Sequence, residues 1–463
     1  MSETKTVEAI ETINPATGRS IDHYEYMTNR EAEEAISKCH EAFLEWRHVS
    51  PEDRAEVIKA IGAKLLEARE ELGQLMTDEM GKTLEQSGQE VDLCAAICEY
   101  TAEIGPGELK TEKREMLNGE YGRVSYAPIG VIYGIQPWNY PCYQVMRYSI
   151  ASLMAGNAVL LKHASNVTGS GKMLERIYRE AGVPDGLFTV LVITHEQSDV
   201  VIKNNLVRAV TLTGSPGAGK YVGQKATAEL KKTVLELGSN DAYLVFDDAD
   251  IDLAVEACVK GRIYNNGETC IAAKRFIVVE KVYDEFRDKF VKTMSEVKMG
   301  DPNNDSTELG PIAREDLRDE LHDQVVKSVE KGAKIACGGE IPDRDGFFYP
   351  ATVLENVKPG QPAYDDEFFG PVASLIKARD NKDAMRIAND SRFGLGGGIF
   401  SKDEEAAIEM AEKHFDTGMV FINSFGLADP AMPFGGVKQS GYGREHGGFG
   451  LKEFVNIKSV MKR

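Results

Sequence analysis

From Ile129 onward the sequence alternates short apolar runs, ending in polar or glycine residues, with segments long enough to be helices. The runs fall at residues 131–135, 158–161, 188–193, 209–213 and 242–246. Strand and helix alternating at this spacing imply crossover connections, so the chain is read as α/β with a mainly parallel sheet covered on both faces. Such a sheet binds ligands at the carboxyl ends of its strands. The opening third reads as helices. Thr28-Asn29-Arg30-Glu31 has capping-box spacing, Ala35, Ile36, Cys39, Ala42, Phe43 and Trp46 follow at helical intervals, and Ser50-Pro51-Glu52-Asp53 starts another helix. A second α/β stretch runs from about Asp250 to Ile422, broken by polar or glycine-rich loops at 301–306 and 342–346. Residues 454–460 alternate in polarity like an edge strand, which commonly needs a partner chain or sheet to cover it.

A chain of 463 residues, 42% of them hydrophobic, can bury a large core in two or three domains. Its 74 acidic against 54 basic residues give a formal charge of −20, which would repel a phosphate backbone and anionic lipid. Nucleic acid and membranes are therefore poor partners. No apolar run approaches the roughly 18 residues of a spanning helix, and residues 1–10 lack a basic start followed by an apolar stretch, so a cytoplasmic protein is expected. The seven cysteines are scattered and odd in number, which suits reduced thiols. Cys94 and Cys98 read as the buried stripe of a helix, and no metal site is expected there.

Four segments could carry chemistry. Thr213-Gly214-Ser215-Pro216-Gly217-Ala218-Gly219-Lys220-Tyr221 follows a strand and opens a helix. It nearly spells a P-loop, but Tyr221 stands where a hydroxyl should hold magnesium; a dinucleotide pyrophosphate site, a structural turn and triphosphate hydrolysis all stay open. In Asn265-Asn266-Gly267-Glu268-Thr269-Cys270 a polar turn precedes the sulfur, so Cys270 is either a nucleophile at a cleft or a small buried hydrophobe. Glu236, between leucines at a strand end and followed by Gly238, is either a desolvated base or a surface carboxylate. In Gln136-Pro137-Trp138-Asn139-Tyr140-Pro141 the prolines stiffen a loop in which Asn139 either directs its amide at an oxyanion or caps a turn.

Seven motifs then occur in order: Pro137-Trp138-Asn139, Leu161-Lys162, Thr213-Gly214-Ser215, Glu236-Leu237-Gly238, Gly267-Glu268-Thr269-Cys270, Glu367-Phe368-Phe369-Gly370-Pro371, and the run from Pro433 to Gly441. Together they resemble the aldehyde dehydrogenase superfamily across nearly the whole chain. Leu161-Lys162-His163-Ala164 and Ala272-Ala273-Lys274-Arg275-Phe276 look most like its short bacterial succinate-semialdehyde dehydrogenase branch. The resemblance implies a Rossmann-type parallel-sheet cofactor domain (1–110 and 134–238), an α/β catalytic domain (239–431) and a small β oligomerisation extension (111–133 and 432–463), in a homodimer or homotetramer. It also implies NAD(P)-dependent oxidation of an aldehyde to a carboxylic acid. Cys270 would attack the aldehyde carbon while the Asn139 amide and the Cys270 N–H hold the oxyanion. The thiohemiacetal would collapse by hydride transfer to a thioester, and Glu236 would activate water for its hydrolysis.

By the same resemblance, Pro137 and Trp138 belong to the cofactor site, Lys162 contacts the adenosine ribose, Gly214 and Ser215 the pyrophosphate, and Glu367 the nicotinamide ribose, with Phe369 beside the nicotinamide. Many NAD-dependent relatives carry a Glu three residues after that Lys. Here Ser165 stands there, and its short hydroxyl would accept a 2′-phosphate, so NADP is expected as well as NAD. Arg147 occupies the place of a carboxylate-binding arginine, which suits succinic semialdehyde as substrate. Tyr264 replaces a second such arginine of related enzymes, and Ala428-Asp429-Pro430-Ala431 supplies no cation, so lactaldehyde or a different semialdehyde is the alternative. Glu268 replaces a common Gln and, pointing inward, would raise the Cys270 pKa; Ser239 replaces a common Gly. A P-loop ATPase and a non-catalytic nucleotide-binding protein are the competing readings from other classes.

Overall fold

The computed structural model describes residues 9–462. Its first sheet has six strands, in the order Gly441–Tyr442, Lys232–Glu236, Val207–Thr213, Val131–Gln136, Ala158–His163 and Phe188–Val190. All neighbours are parallel except the first pair. The sequence order of its five parallel strands reverses between Val131–Gln136 and Val207–Thr213, so the loops leaving those two strands diverge and open a crevice. Those loops carry Pro137-Trp138-Asn139 and Gly214-Ser215. The parallel strands are nearly continuous apolar runs, as burial on both faces demands; Val131, Ile132, Tyr133, Ala158, Val159, Leu160 and Leu161 are all fully buried.

The second sheet has seven strands, in the order Lys334–Cys337, Thr352–Glu355, Val372–Ala378, Arg275–Val279, Ala242–Val245, Gly397–Phe400 and Phe421–Ile422, antiparallel only at Lys334–Cys337. Its inner strands, Ala242–Val245 and Arg275–Val279, flank the connection that carries Cys270. A third, antiparallel sheet joins Val455–Val460, Tyr121–Pro128 and Glu112–Glu115.

Helix Asn29–Trp46 begins as its sequence dictates. Thr28 Oγ1 accepts from Glu31 N at 3.2 Å, and Glu31 Oε2 accepts from Thr28 N at 2.7 Å, which closes a capping box. Its apolar stripe of Ile36, Cys39, Phe43 and Trp46 is buried. Helix Leu84–Glu108 buries Cys94 and Cys98 on one face, where they pack as small hydrophobes. The opening third is not all helix, however. Strands Ala9–Asn14 and Arg19–Glu25 form a hairpin, in which Ile10 and Thr12 alternate with exposed residues and Gly18 takes φ 67° in the turn. Two short strands of mixed polarity give too weak a period to stand out beside the strong helical stripes that follow.

Candidate active site

The crevice where the strand order reverses contains a cavity of about 270 Å³. Its wall includes Pro137, Trp138, Asn139, Gly214, Ser215, Cys270, Glu367 and Phe369, residues from loops far apart in sequence. Helix Glu315–Glu330 closes the opposite side with Leu317, Glu320, Leu321 and Gln324. Their spacing places them on one helix face, a signal present in the sequence but not assigned to the site there.

Cys270 is held by a turn of uncommon backbone geometry. Asn265, Asn266 and Gly267 have φ of 54°, 58° and 76°, a left-handed run that asparagine and glycine adopt at least cost. The asparagine side chains then fasten it. Asn265 Nδ2 donates to Asn139 O at 3.0 Å and to Glu268 O at 3.2 Å, while Asn266 Nδ2 donates to Gly81 O and Pro311 O, each at 2.9 Å. Gly267 lies so close to Gly370 that a Cβ would come within 2.4 Å of its carbonyl carbon, so the Cys270 turn sits directly on the loop of Glu367 and Phe369. Arg262 Nη2 donates to Gly267 O at 2.6 Å from below.

The Asn139 amide nitrogen gives one N–H to Glu268 O at 2.9 Å, which fixes the plane of the amide, and the second has no protein acceptor among the described residues. The backbone N–H of Cys270 likewise has none there. Two donors thus remain beside a half-buried sulfur on the cavity wall.

Burial pushes the Cys270 thiol up to about 12, against the pull of Arg147 and Lys274. Sequence reasoning noted Lys274 only as part of a motif. It is buried, and its Nζ donates to Thr269 O at 3.1 Å and Cys270 O at 2.5 Å, and lies 3.2 Å from Glu367 Oε1. One ammonium therefore ties the Cys270 turn to the Glu367 carboxylate. Glu367 is raised by burial, and Lys274 opposes that rise.

Two expected site residues stand off the cavity wall. Glu236 is buried, and neither carboxylate oxygen has a hydrogen-bond partner among the described residues; Oε1 lies against Gly435, where a Cβ would approach to 2.9 Å. Burial raises its pKa well above the carboxylate range, Glu445 adds to the rise, and Arg147 opposes it. Arg147 is also buried. Its guanidinium pairs with Glu445, donates to Thr213 Oγ1 at 3.0 Å, and lies over the rings of Phe434 at 4.5 Å and Tyr143 at 5.2 Å. Burial works against its charge, but Glu445 keeps it firmly protonated. Glu445 was not singled out from sequence, because its carboxylate meets Arg147 only across nearly 300 residues of chain.

Glu268 does not face the sulfur: its Oε1 accepts from Ala313 N at 3.1 Å, and burial holds its pKa well above the usual range. Ser239 donates its hydroxyl to Asp241 and leaves the cavity floor to Gly238. Tyr264 reaches Gln89 Oε1 at 3.0 Å. Asp429 is exposed and accepts from Ala431 N at 2.8 Å. Tyr221 donates to Asp199 Oδ2 at 2.8 Å and Lys220 is exposed, so the glycine-rich turn lacks the cation grip of a P-loop.

A second cavity, of about 380 Å³, lies at the carboxyl end of strand Ala158–His163 and includes Lys162, Ser165 and Thr168 on its wall. Trp138 packs with Ala164 and Val167, so the two cavities share a side.

A dinucleotide fits these residues. Helix Pro216–Ala228 starts at the first cavity; Ser215 Oγ accepts from Ala218 N at 3.2 Å, and the Gly217 N–H has no protein partner among the described residues. Trp138 and Phe369 meet edge to face at 5.6 Å on an apolar wall, and Glu367 and Lys162 supply polar groups at opposite ends.

The model of the aldehyde dehydrogenase family matches residues 1–460. The chain belongs to the aldehyde dehydrogenase family. This aldehyde dehydrogenase is 43% identical over 462 residues to the Escherichia coli (strain K12) protein named succinate semialdehyde dehydrogenase, NAD(P)+, with 100% of this chain and 99% of that one covered. It is 42% identical to a Deinococcus radiodurans succinate-semialdehyde dehydrogenase, NADP(+), covering 97% and 94%. Among solved structures, succinic semialdehyde dehydrogenase from Streptococcus pyogenes in complex with NADP+ superposes with a TM-score of 0.96 at 36% identity, covering 98% of this chain and all of that one. Among the described residues, no helix of the aldehyde dehydrogenase is long and apolar enough to cross a membrane.

Proposed function

We propose that the enzyme oxidises succinic semialdehyde to succinate with NADP or NAD. The observation that carries the reading is the half-buried Cys270 sulfur on a cavity wall shared with two free N–H donors and with Trp138, Ser215 and Glu367. The names of full-length relatives at 42–43% identity supply the substrate.

In this mechanism Cys270 attacks the aldehyde carbon and the Asn139 amide and Cys270 N–H receive the oxyanion. A thiol raised by burial needs a base as it attacks, and Glu236, which burial makes a stronger base than a solvated carboxylate, would take that proton. A nicotinamide coenzyme held in this crevice would supply the hydride acceptor, and the oxidised carbon would remain on Cys270 as a thioester. Once Glu236 has released that first proton to solvent, it would remove a second from the hydrolytic water as the thioester opens to carboxylate and the Cys270 thiolate leaves, with Arg147 and Glu445 biasing its charge in opposite directions. Glu367 would hold the nicotinamide ribose, Phe369 and Trp138 would pack beside the nicotinamide, Gly214 and Ser215 would receive the pyrophosphate, Pro137 would shape the entrance, and Lys162 with Ser165 would take the adenosine ribose.

One observation favours a second reading. Arg147 already has a carboxylate partner in Glu445, so its cation is shared, and a small neutral aldehyde such as lactaldehyde meets less competition in this site. Initial rates on succinic semialdehyde, glutaraldehyde, lactaldehyde and short alkanals, repeated on Arg147→Ala, separate the two. A selective rise in KM for semialdehydes supports the first reading; equal losses on all aldehydes sink Arg147 as the carboxylate ligand.

Oligomerisation through the third sheet belongs to the same reading. Strand Val455–Val460 exposes Ile457 and Val460, and the neighbouring Leu117, Tyr121 and Met461 are exposed as well. An apolar sheet edge of this kind is normally covered by another copy.

A further inference from the structure

The cavity that contains Lys162 and Ser165 has a cation on its wall from the other side of the crevice. Arg314 stands just before helix Glu315–Glu330, some 150 residues from Lys162 in sequence, yet both line the same space. Two contacts bring it there. Ala313 packs on Val167 and Ala164, next to Ser165, and Ala313 N donates to Glu268 Oε1 at 3.1 Å. The Arg314 guanidinium is 39% exposed and pairs with Asp316 through Nε, at 2.9 Å, and Nη2. Nη1 has no partner among the described residues, so a donor face of the fork is unspent. One carboxylate, Glu196, shares the wall; its own backbone N–H and the Thr194 hydroxyl at the start of its helix hold its pKa below the usual range, so it is an anion that the basic groups of this wall must offset.

We propose that Arg314 is a third group of the coenzyme 2′-phosphate site, together with Lys162 and Ser165, and so a determinant of NADP over NAD. The chemistry follows from what each side chain offers. Lys162 is a point charge and Ser165 a single hydroxyl, which leave a dianionic phosphate with spare oxygens. A guanidinium supplies parallel N–H donors in the geometry phosphate accepts, while the neutral ribose hydroxyls of NAD gain little from it. Because Arg314 sits on the loop fastened to the nucleophile turn through Glu268, the phosphate would also tie the turn at 163–168 to that loop. The inference rests on Lys162 and Ser165 marking the adenosine ribose site.

Calorimetric titration with 2′,5′-ADP and with NAD tests it on wild type, Arg314→Gln, Arg314→Lys and Lys162→Met. Arg314→Gln should weaken 2′,5′-ADP binding by about tenfold or more, the loss expected for one charge-assisted hydrogen bond, and leave NAD affinity within about twofold. Arg314→Lys should fall between it and wild type. Unchanged 2′,5′-ADP affinity in Arg314→Gln, or an equal loss for both nucleotides, overturns the proposal. Lys162→Met keeps the two levels apart. If it too leaves 2′,5′-ADP binding intact, the ribose-site reading fails; if it weakens binding and Arg314→Gln does not, only the role of Arg314 fails.

Discussion

Lys274 and Glu268 flank the Cys270 turn and act on it in different ways. The ammonium of Lys274 touches two carbonyls of the turn and favours the Cys270 thiolate. Lys274→Met should shift the pH dependence of Cys270 alkylation to higher pH, and Lys274→Arg should restore most of it. A profile that Lys274→Met leaves in place would reduce the lysine to a packing role. Glu268, in contrast, faces Ala313 N, and burial favours its neutral form, which Gln mimics. Glu268→Gln should therefore leave the alkylation profile of Cys270 where it is. Asn139→Ala removes the proposed oxyanion donor and should lower kcat by about two to three orders of magnitude, with coenzyme affinity unchanged by titration. The reacting types were legible in sequence because the motifs pack polar groups and glycine around one sulfur. The direction in which Glu268 points was not, since it is set by a backbone N–H 45 residues away.

At the scale of elements, the strand alternation from Val131 to Val245 is plain in the sequence because parallel strands buried on both faces must be apolar throughout. The hairpin at Ala9–Glu25 is not plain, because only Ile10 and Thr12 mark its buried face. The turn Asn265-Asn266-Gly267 carries a local signal, since asparagine and glycine are the residues that tolerate positive φ, although its function came from the resemblance. Gly267→Ala adds a Cβ against the Gly370 backbone at φ 76°. It should lower stability by about 1–3 kcal/mol, read by denaturant unfolding, and cut activity further than stability because the turn carries the proposed nucleophile. Retention of full kcat would mean that the turn tolerates displacement.

For the whole molecule, acid stability turns in part on His163. Its Nε2 lies 2.9 Å from Pro141 O and its Nδ1 3.0 Å from Ala164 N and 3.3 Å from Gln136 O; burial depresses its pKa to about 4 against the pull of those two carbonyls. A histidine depressed in the fold but ordinary when unfolded costs nothing above about pH 6.5, and withdraws stability progressively as pH falls toward 4. Glu79, raised to about 7 by burial, acts the other way, withdrawing stability as pH rises through the same range. His163→Gln should therefore lose less Tm than wild type between pH 7 and pH 5, measured by calorimetry; parallel losses would remove His163 from the account. Ile457→Glu with Val460→Glu should yield a smaller sedimenting species if the third sheet is the contact between copies.

The sequence by itself determined which side chains could react and along which kind of sheet they would lie, because motif composition and apolar periodicity are local properties of the chain. Only the tertiary structure decided their partners: Glu445 on Arg147, Lys274 between Cys270 and Glu367, Arg314 across from Lys162. Charge acts through distance and dielectric rather than through order along the chain, so these pairings exist only once the strands and loops have closed around the crevice.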